Sequence, residues 1–391
     1  MRIKYIVIHF MRTDGGVFTK IKSQIRALGS LGIETELVQI SRSSSYQVPL
    51  DTKVSFRAAP VPPFKSMKEK FQSASAIAGA ISEEIKLADS NTVLYLRGLI
   101  PSPFLLRCLR KPRQAVVVFE LQSIGWIEAK NRGSRMHVLT DKLYTPAILQ
   151  TCDGIVGVTE EIAKRYISRA RNAEIPWIAN GNGANVDLIP VRTPPAFDKK
   201  RLNLLAVATN FAYWHAIDRI IESIAKYRGH TRVFLDVIGG VEALSGSLKK
   251  FVESNNLGEQ VRFHGFMKGK EFDGFFDKCH IAVGSLGLHR KGLSQTSELK
   301  AREYCARGTP FICSSPDADF PADFPYVLRV NSSEKPIDIE QIISFARRVC
   351  SEGDHPHVMR EYALSNLDWS IKMKKLVEFF DRILQSKCFL Q

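Results

Sequence analysis

The sequence contains no long apolar run. Nowhere do its 391 residues approach the roughly 18 consecutive apolar positions that a membrane-spanning helix requires. Cysteine is sparse: seven, odd in number, scattered and without a CxxC pair. That argues against a disulfide framework and a zinc site, and points to a reducing, cytosolic compartment. Short-period repeats and low-complexity tracts are missing, which excludes solenoids and compositionally disordered chains. The chain is basic, yet no zinc-finger spacing, glycine-aromatic RNA-binding signature or heptad-bearing basic region accompanies the charge, so nucleic acid is not an expected partner. Met1–Phe10 is basic then apolar, but it is short for a signal peptide and Arg12, Asp14 and Gly15 follow without a small-residue cleavage site. It fits a first buried strand.

What is present is a globular composition, 45% hydrophobic and 24% charged. The length exceeds one typical core and suggests two domains. A net charge of +15, concentrated before residue 190, fits contact with something anionic, such as lipid head groups or a phosphorylated acceptor; it also serves solubility.

Apolar strand-like runs alternate with helical patterns throughout. Ile3–Phe10 is followed by a loop, then by Phe18–Leu31 with Ile21, Ile25 and Leu28 on one helical side, then by strand Glu34–Ile40. Helix Phe64–Leu87, strand Thr92–Leu96, helix Pro103–Leu109 and strand Ala115–Phe119 come next, with Asp141–Gln150, Gly154–Val158 and Glu160–Arg169 as helix, strand and helix. Residues 191–198 hold two prolines and no periodicity, so they read as a linker. Beyond them the alternation restarts, with strands at Leu202–Ala208, Arg232–Ile238, Val261–His264 and Ile281–Gly284. Such alternation predicts parallel sheets covered on both faces. The expected architecture is α/β, two doubly wound Rossmann-like domains facing a central cleft: residues 1–190, the linker, and residues 199–368.

Ser294–Pro310 carries the densest chemical signal. Small hydroxyl residues at 294–297 precede the helix formers Glu298–Glu303, Gly308 supplies a C-terminal stop, and Pro310 and an apolar run follow. A helix N-terminus offers N–H groups and a positive dipole end to a phosphate. Lys300 and Glu303, three apart, place a cation and a hydroxyl-binding carboxylate on one face. An ordinary amphipathic surface helix with an ion pair accounts for the same spacing. Elsewhere, Asp14-Gly15-Gly16 follows the first strand and lets backbone approach an anion, as does a plain tight turn. It is no G-x-G-x-x-G fingerprint, which disfavours NAD. Loops at Thr209–His215, Gly239-Gly240 and Gly265-Phe266-Met267 sit at strand C-terminal ends, where open α/β sheets bind ligands.

Taken in order, these stretches resemble retaining glycosyltransferases of the two-Rossmann-domain (GT-B) type, family 4-like. The resemblance spans nearly the whole chain. It is carried by Asp14-Gly15-Gly16-Val17, Asn180-Gly181 with Asn185-Val186-Asp187, Val237–Gly240, Val261–Phe266, Glu303–Ile312 against "E-x-x-A-x-G-x-P-V-V", and Asp368-Trp369. Two departures stand out. The family's paired glutamates lie eight apart, and eight before Glu303 is Gln295; the usual Arg/Lys pair after the linker is missing, with Asn210 and His215 near those places. Ala212–Arg219 and Ser297–Tyr304 instead resemble a "W-H-G-x-D-R" and "S-x-L-K-x-x-E-Y" variant.

The resemblance implies transfer of a sugar from a nucleotide-diphosphate donor with retention of configuration, without a metal or other cofactor. Lys300, with the N–H groups around Thr296 and Ser297, would hold the diphosphate; Glu303 the ribose; and Phe266 and Met267 the base. Gly15, Gly16, Asn210, His215 and Gly239 complete the expected donor contacts. Glu120, at the end of strand Ala115–Phe119, would contact sugar hydroxyls (as would Gln122) or act as base on the acceptor, alongside Lys300 and Glu303 as catalytic residues; a strand-end capping role fits it equally. The helix of about 369–391 would return to the N-terminal domain. Segments 64–71 and 104–113 mix basic and large apolar residues, as membrane-surface segments do. The expected acceptor is a glycan or lipid-linked glycan in cell-surface polysaccharide synthesis, at the inner face of the cytoplasmic membrane. A sugar-nucleotide epimerase on the same scaffold, or a degenerate binding partner of a transferase, are the alternatives.

Overall fold

In the computed structural model the residues described are 1–8, 16–41, 55–60, 66–170, 174–240, 245–351 and 353–388. They form two compact units, Met1–Gly181 with Trp369–Gln391, and Asn182–Asp368.

The first unit runs β1 (Arg2–Ile8), α1 (Gly16–Ser30), β2 (Glu34–Ser41), β3 (Ser55–Pro60), α2 (Met67–Lys86), β4 (Thr92–Arg97), α3 (Pro103–Leu109), β5 (Val116–Leu121), α4 (Gly125–Asn131), α5 (Arg135–Leu149), β6 (Gly154–Gly157), α6 (Glu160–Ala170) and β7 (Trp177–Ala179). Its seven strands are all parallel, in the order β3-β2-β1-β4-β5-β6-β7. β4 and β5 are runs of β-branched, leucine and aromatic residues buried on both faces, as a sheet covered by helices on each side requires. Helix starts are set locally. Ser66 and Glu69 close a capping box on α2, and the Ser102 hydroxyl accepts the Leu105 N–H at 3.1 Å with Pro103 opening α3.

The second unit runs β8 (Arg201–Asn210), α7 (Ile217–Lys226), β9 (Arg232–Gly240), α8 (Ser245–Ser254), β10 (Val261–Gly265), α9 (Gly269–Lys278), β11 (Ile281–Val283), α10 (Leu299–Arg307), β12 (Phe311–Cys313), β13 (Val327–Arg329), α11 (Ile339–Cys350) and α12 (His355–Asn366). Its parallel sheet has the order β10-β9-β8-β11-β12-β13. The last helix, α13 (Trp369–Cys388), belongs to the first unit, where Phe380 packs on Tyr95 with centroids 5.2 Å apart and Asn180 Nδ2 donates to the Lys372 carbonyl at 3.0 Å.

Two expectations are corrected. The chain passes between units at Gly181/Asn182, ahead of the proline-bearing 191–198 segment. That segment is no free linker: Arg192 is buried in the second unit, donating to the carbonyls of Gly308 (3.0 Å) and Cys279 (2.5 Å) and meeting His355 Nε2 at 3.0 Å. The helix expected from Asp141 begins earlier, at Arg135, and α4 precedes it, because the weakly amphipathic 125–140 stretch lacks a clear apolar period. Among the described residues no helix is long and apolar enough to cross a membrane.

Candidate functional site

In the second unit the strand order reverses between β8 and β11, whose connections leave in opposite directions. A crevice outside the carboxyl ends of the strands at such a switch point is where doubly wound sheets hold ligands. The loop after β8 contains the 3₁₀ turn Tyr213–His215, and that after β11 leads through the turn Leu288–Lys291 to α10. The two loops are tied together: Leu286 N–H donates to the His215 carbonyl at 3.1 Å and Gly287 N–H to that of Trp214 at 3.2 Å.

His215 and Lys300 meet here. The Ala212 N–H donates to His215 Nδ1 at 2.8 Å, so the neutral ring carries its proton on Nε2. Burial, then the nearby charges of Lys300 and Lys291, push the His215 pKa down to about 2. The ring is therefore a neutral N–H donor beside a cation. Lys300, on the first turn of α10, has a side chain only 13% exposed; burial pulls its pKa down against the opposing pull of Glu298, whose Oε2 lies 3.7 Å from Nζ. A desolvated cation with one long ion pair among the described residues attracts an anion more strongly than a solvated one.

Glu298 is a residue that sequence reasoning missed. Its carboxylate accepts the Ser285 N–H at 3.1 and 3.2 Å and the Thr296 hydroxyl at 3.4 Å, joining the β11 loop to the start of α10. The signal for it was an acidic residue in the N-cap position of a helix, which complements the dipole. Arg302 was missed too. Wholly buried, it pairs with Asp317 and Asp319 and donates Nε to the Asn182 carbonyl at 2.9 Å, fixing the underside of α10.

Thr296 and Ser297 do other work than expected. α10 begins at Leu299, with Glu298 as cap. The Thr296 N–H donates to the Pro316 carbonyl at 3.0 Å, and the Ser297 hydroxyl accepts the Asn182 N–H at 2.7 Å. Both brace the loop, so the expectation that the Thr296 amide cradles a phosphate is corrected. Glu303 is engaged on one edge. Arg307 donates Nε and Nη2 to Oε1 at 3.0 and 2.9 Å, while Oε2 has no hydrogen-bond partner among the described residues, and the side chain is 31% exposed.

Gly239 has a structural reason of its own. At φ +133°, an added Cβ would lie 1.6 Å from the Ala208 carbonyl oxygen, so glycine is demanded by the close approach of β8 and β9 whether or not a ligand binds. Asn210 ends β8 and is exposed; Phe266, 52% exposed, and Met267 follow β10, with Met267 packed on the core. Gly16 opens α1 in the first unit; Gly15 lies outside the described residues.

Glu120 does not fit the acceptor-base role. It is 2% exposed in β5, and both oxygens are engaged: Oε2 by Tyr5 Oη at 2.7 Å and Arg97 Nη1 at 3.1 Å, Oε1 by Lys20 Nζ at 2.9 Å. Burial alone would raise its pKa, but Lys20 and then Arg97 outweigh it and hold the carboxyl at about 2. A carboxylate that acidic and enclosed takes up a proton poorly at neutral pH. It ties β5 to β1 through Tyr5, to β4 through Arg97 and to α1 through Lys20.

No family model matches the sequence, and no curated protein is similar to it at a significant level. Solved structures do match over the full length. Sucrose-phosphate synthase from Thermosynechococcus elongatus superposes with a TM-score of 0.72 at 14% identity, covering 99% of this chain and 100% of that one. A lipopolysaccharide outer core galactosyltransferase gives 0.66 at 15% identity, with 99% and 100% covered. Anabaena HepE in complex with UDP-glucose gives 0.60 at 11% identity, with 97% and 99% covered. At these identities the likeness concerns architecture: the chain has the two-Rossmann-domain GT-B fold of these glycosyltransferases.

Proposed function

We propose that this protein is a retaining glycosyltransferase that moves a sugar from a nucleoside-diphosphate donor, held in the second unit, to a glycan or lipid-linked acceptor in cell-surface polysaccharide synthesis. One observation carries the proposal. At the switch point, a desolvated Lys300 beside a neutral His215 N–H shares α10 with Glu303, whose Oε2 is open. Three residues along a helix span about 4.5 Å of rise, a separation suited to a phosphate and a ribose of one nucleotide. Negative charge grows on the departing diphosphate as the glycosidic bond breaks, so Lys300 and the His215 Nε2–H act more strongly on the transition state than on the bound donor. Glu298 keeps Lys300 in place without saturating it. Glu303 accepts ribose hydroxyls, with Arg307 setting its rotamer, and Phe266 and Met267 meet the base. Same-face departure and attack need no enzyme nucleophile, and the proposal includes no metal.

Solved neighbours in complex with UDP and with UDP-glucose make uridine donors the first to try. Calorimetric titration of the full chain with UDP- and GDP-sugars should show binding that Lys300→Ala weakens at least tenfold. Absence of binding across such a panel would leave only a degenerate partner role, and donor epimerisation without acceptor would overturn transfer in favour of an epimerase.

A further inference from the structure

The right-handed crossovers of the first sheet put α2, α3 and α5 on one face, where α3 packs against both of the others. Each runs back from the carboxyl edge of the strands, so their first turns line that edge. Large apolar side chains stand in water on the outer side of these helices, in their second and third turns. Phe71 is 55% exposed and meets Phe104 edge-on at 6.4 Å, while Leu139 and Leu143, one turn apart on α5, are 55% and 58% exposed. Isolated exposed leucines are ordinary, but apolar residues on the outer stripes of neighbouring helices form a patch. The fully exposed charges beside them are basic. Lys68, Lys70, Arg107, Arg135 and Lys142 are exposed. Of the acids on these helices, Glu69 sits in its capping box, Glu84 is buried with Lys4, Asp141 is buried with Arg169 and Thr145, and exposed Glu83 lies toward the far end of α2.

We infer that this face docks on an anionic lipid bilayer, with Phe71, Leu139 and Leu143 entering the head-group region and the basic residues meeting lipid phosphates. Charge selects the occupant. A second copy would bring the same cations against themselves in an isologous contact, whereas an anionic bilayer neutralises them and takes up the apolar tips. Docking brings this helical face to the membrane, with the carboxyl edge of the first sheet beside it, where a lipid-linked acceptor is found. The inference deepens the proposed function in that respect and rests on it for the acceptor, but vesicle binding is measured without turnover, so either can fail alone.

The test is co-sedimentation of the full chain with vesicles of phosphatidylglycerol and phosphatidylethanolamine, against phosphatidylcholine alone, at low and high salt. Each basic residue near an anionic surface contributes about a fivefold factor in partitioning. The triple variant Lys68→Glu, Arg135→Glu, Lys142→Glu should therefore lose at least about a hundredfold in binding to anionic vesicles. Phe71→Ser with Leu143→Ser should lower the binding that survives high salt. Melting temperatures of both variants should match the parent, since the replaced side chains are exposed, and donor binding by calorimetry should be unchanged. Equal binding to neutral vesicles, no binding by the parent, or parent-like binding by the triple variant overturns the inference. So does a dimer in sedimentation velocity that Phe71→Ser with Leu143→Ser converts to monomer, because a second copy would then be the occupant.

Discussion

Replacing Lys300 by methionine, similar in length and uncharged, separates what this side chain does for the fold from what it does for a ligand. In the free protein the ammonium is 13% exposed and 3.7 Å from its carboxylate, and its depressed pKa means that burial costs the charged form more than Glu298 returns. Glu298 retains the Ser285 N–H and the Thr296 hydroxyl when Lys300 is gone, so no carboxylate is left bare. The variant should melt no lower than the parent. Because the folded pKa lies below the unfolded one, the parent, unlike the variant, should also gain stability as pH rises from Lys300's folded pKa through the unfolded value near 10.4. Catalysis should move the opposite way. Removing one preorganised donor to a developing oxyanion costs about 3 to 4 kcal/mol, or about 100- to 1,000-fold in kcat. Thermal denaturation with and without donor, together with steady-state kinetics, reads both effects. A variant that keeps parental kcat, or that melts several degrees lower, would refute the assignment of Lys300 as a cation held ready for an anion.

Glu120→Gln leaves Lys20 and Arg97 buried beside an uncharged amide and should destabilise the first unit by about 3 to 5 kcal/mol, measured by urea unfolding. With its folded pKa at about 2, Glu120 stabilises the protein above the unfolded carboxyl value near 4.3. That stabilisation, on the order of 3 kcal/mol, fades as pH falls toward 2, and the Gln variant should lack that acid limb. Glu303→Gln should raise donor KM and reduce discrimination between ribo- and 2′-deoxyribonucleotide donors; unchanged discrimination would remove Glu303 from the ribose. Gly239→Ala, whose Cβ would meet the Ala208 carbonyl, should yield insoluble or unfolded second unit, and a soluble variant with parental melting would contradict the strand geometry. Chelation with EDTA should leave sugar transfer unchanged.

Much of the fold was legible because buried parallel strands must be continuous apolar runs and the helices between them must carry a 3.6-residue stripe. Boundaries were less so. Residues 191–198 look like a linker by their prolines, yet one arginine, reaching carbonyls from distant parts of the chain, fastens them to the second unit. At the site, Lys300 and Glu303 were visible from spacing along one helix. Glu298 and Arg302 were not, since their partners Ser285, Asn182, Asp317 and Asp319 come together only when β11, α10 and the crossing segment fold against each other. Glu120 looked like a strand-end catalyst because sequence shows a carboxylate and hides the two cations and the tyrosine that enclose it.

By itself, the order of residues determined two α/β units, their strands, and a cation and carboxylate one turn apart on a short helix after a strand, because those depend on local propensity and periodicity. Only the tertiary structure decided which charges are free to act. Desolvation and the carbonyls and carboxylates around each group set that outcome: they leave Lys300 weakly partnered, keep the His215 ring neutral with its proton on Nε2, turn only one edge of Glu303 outward, and close Glu120 into an ion network.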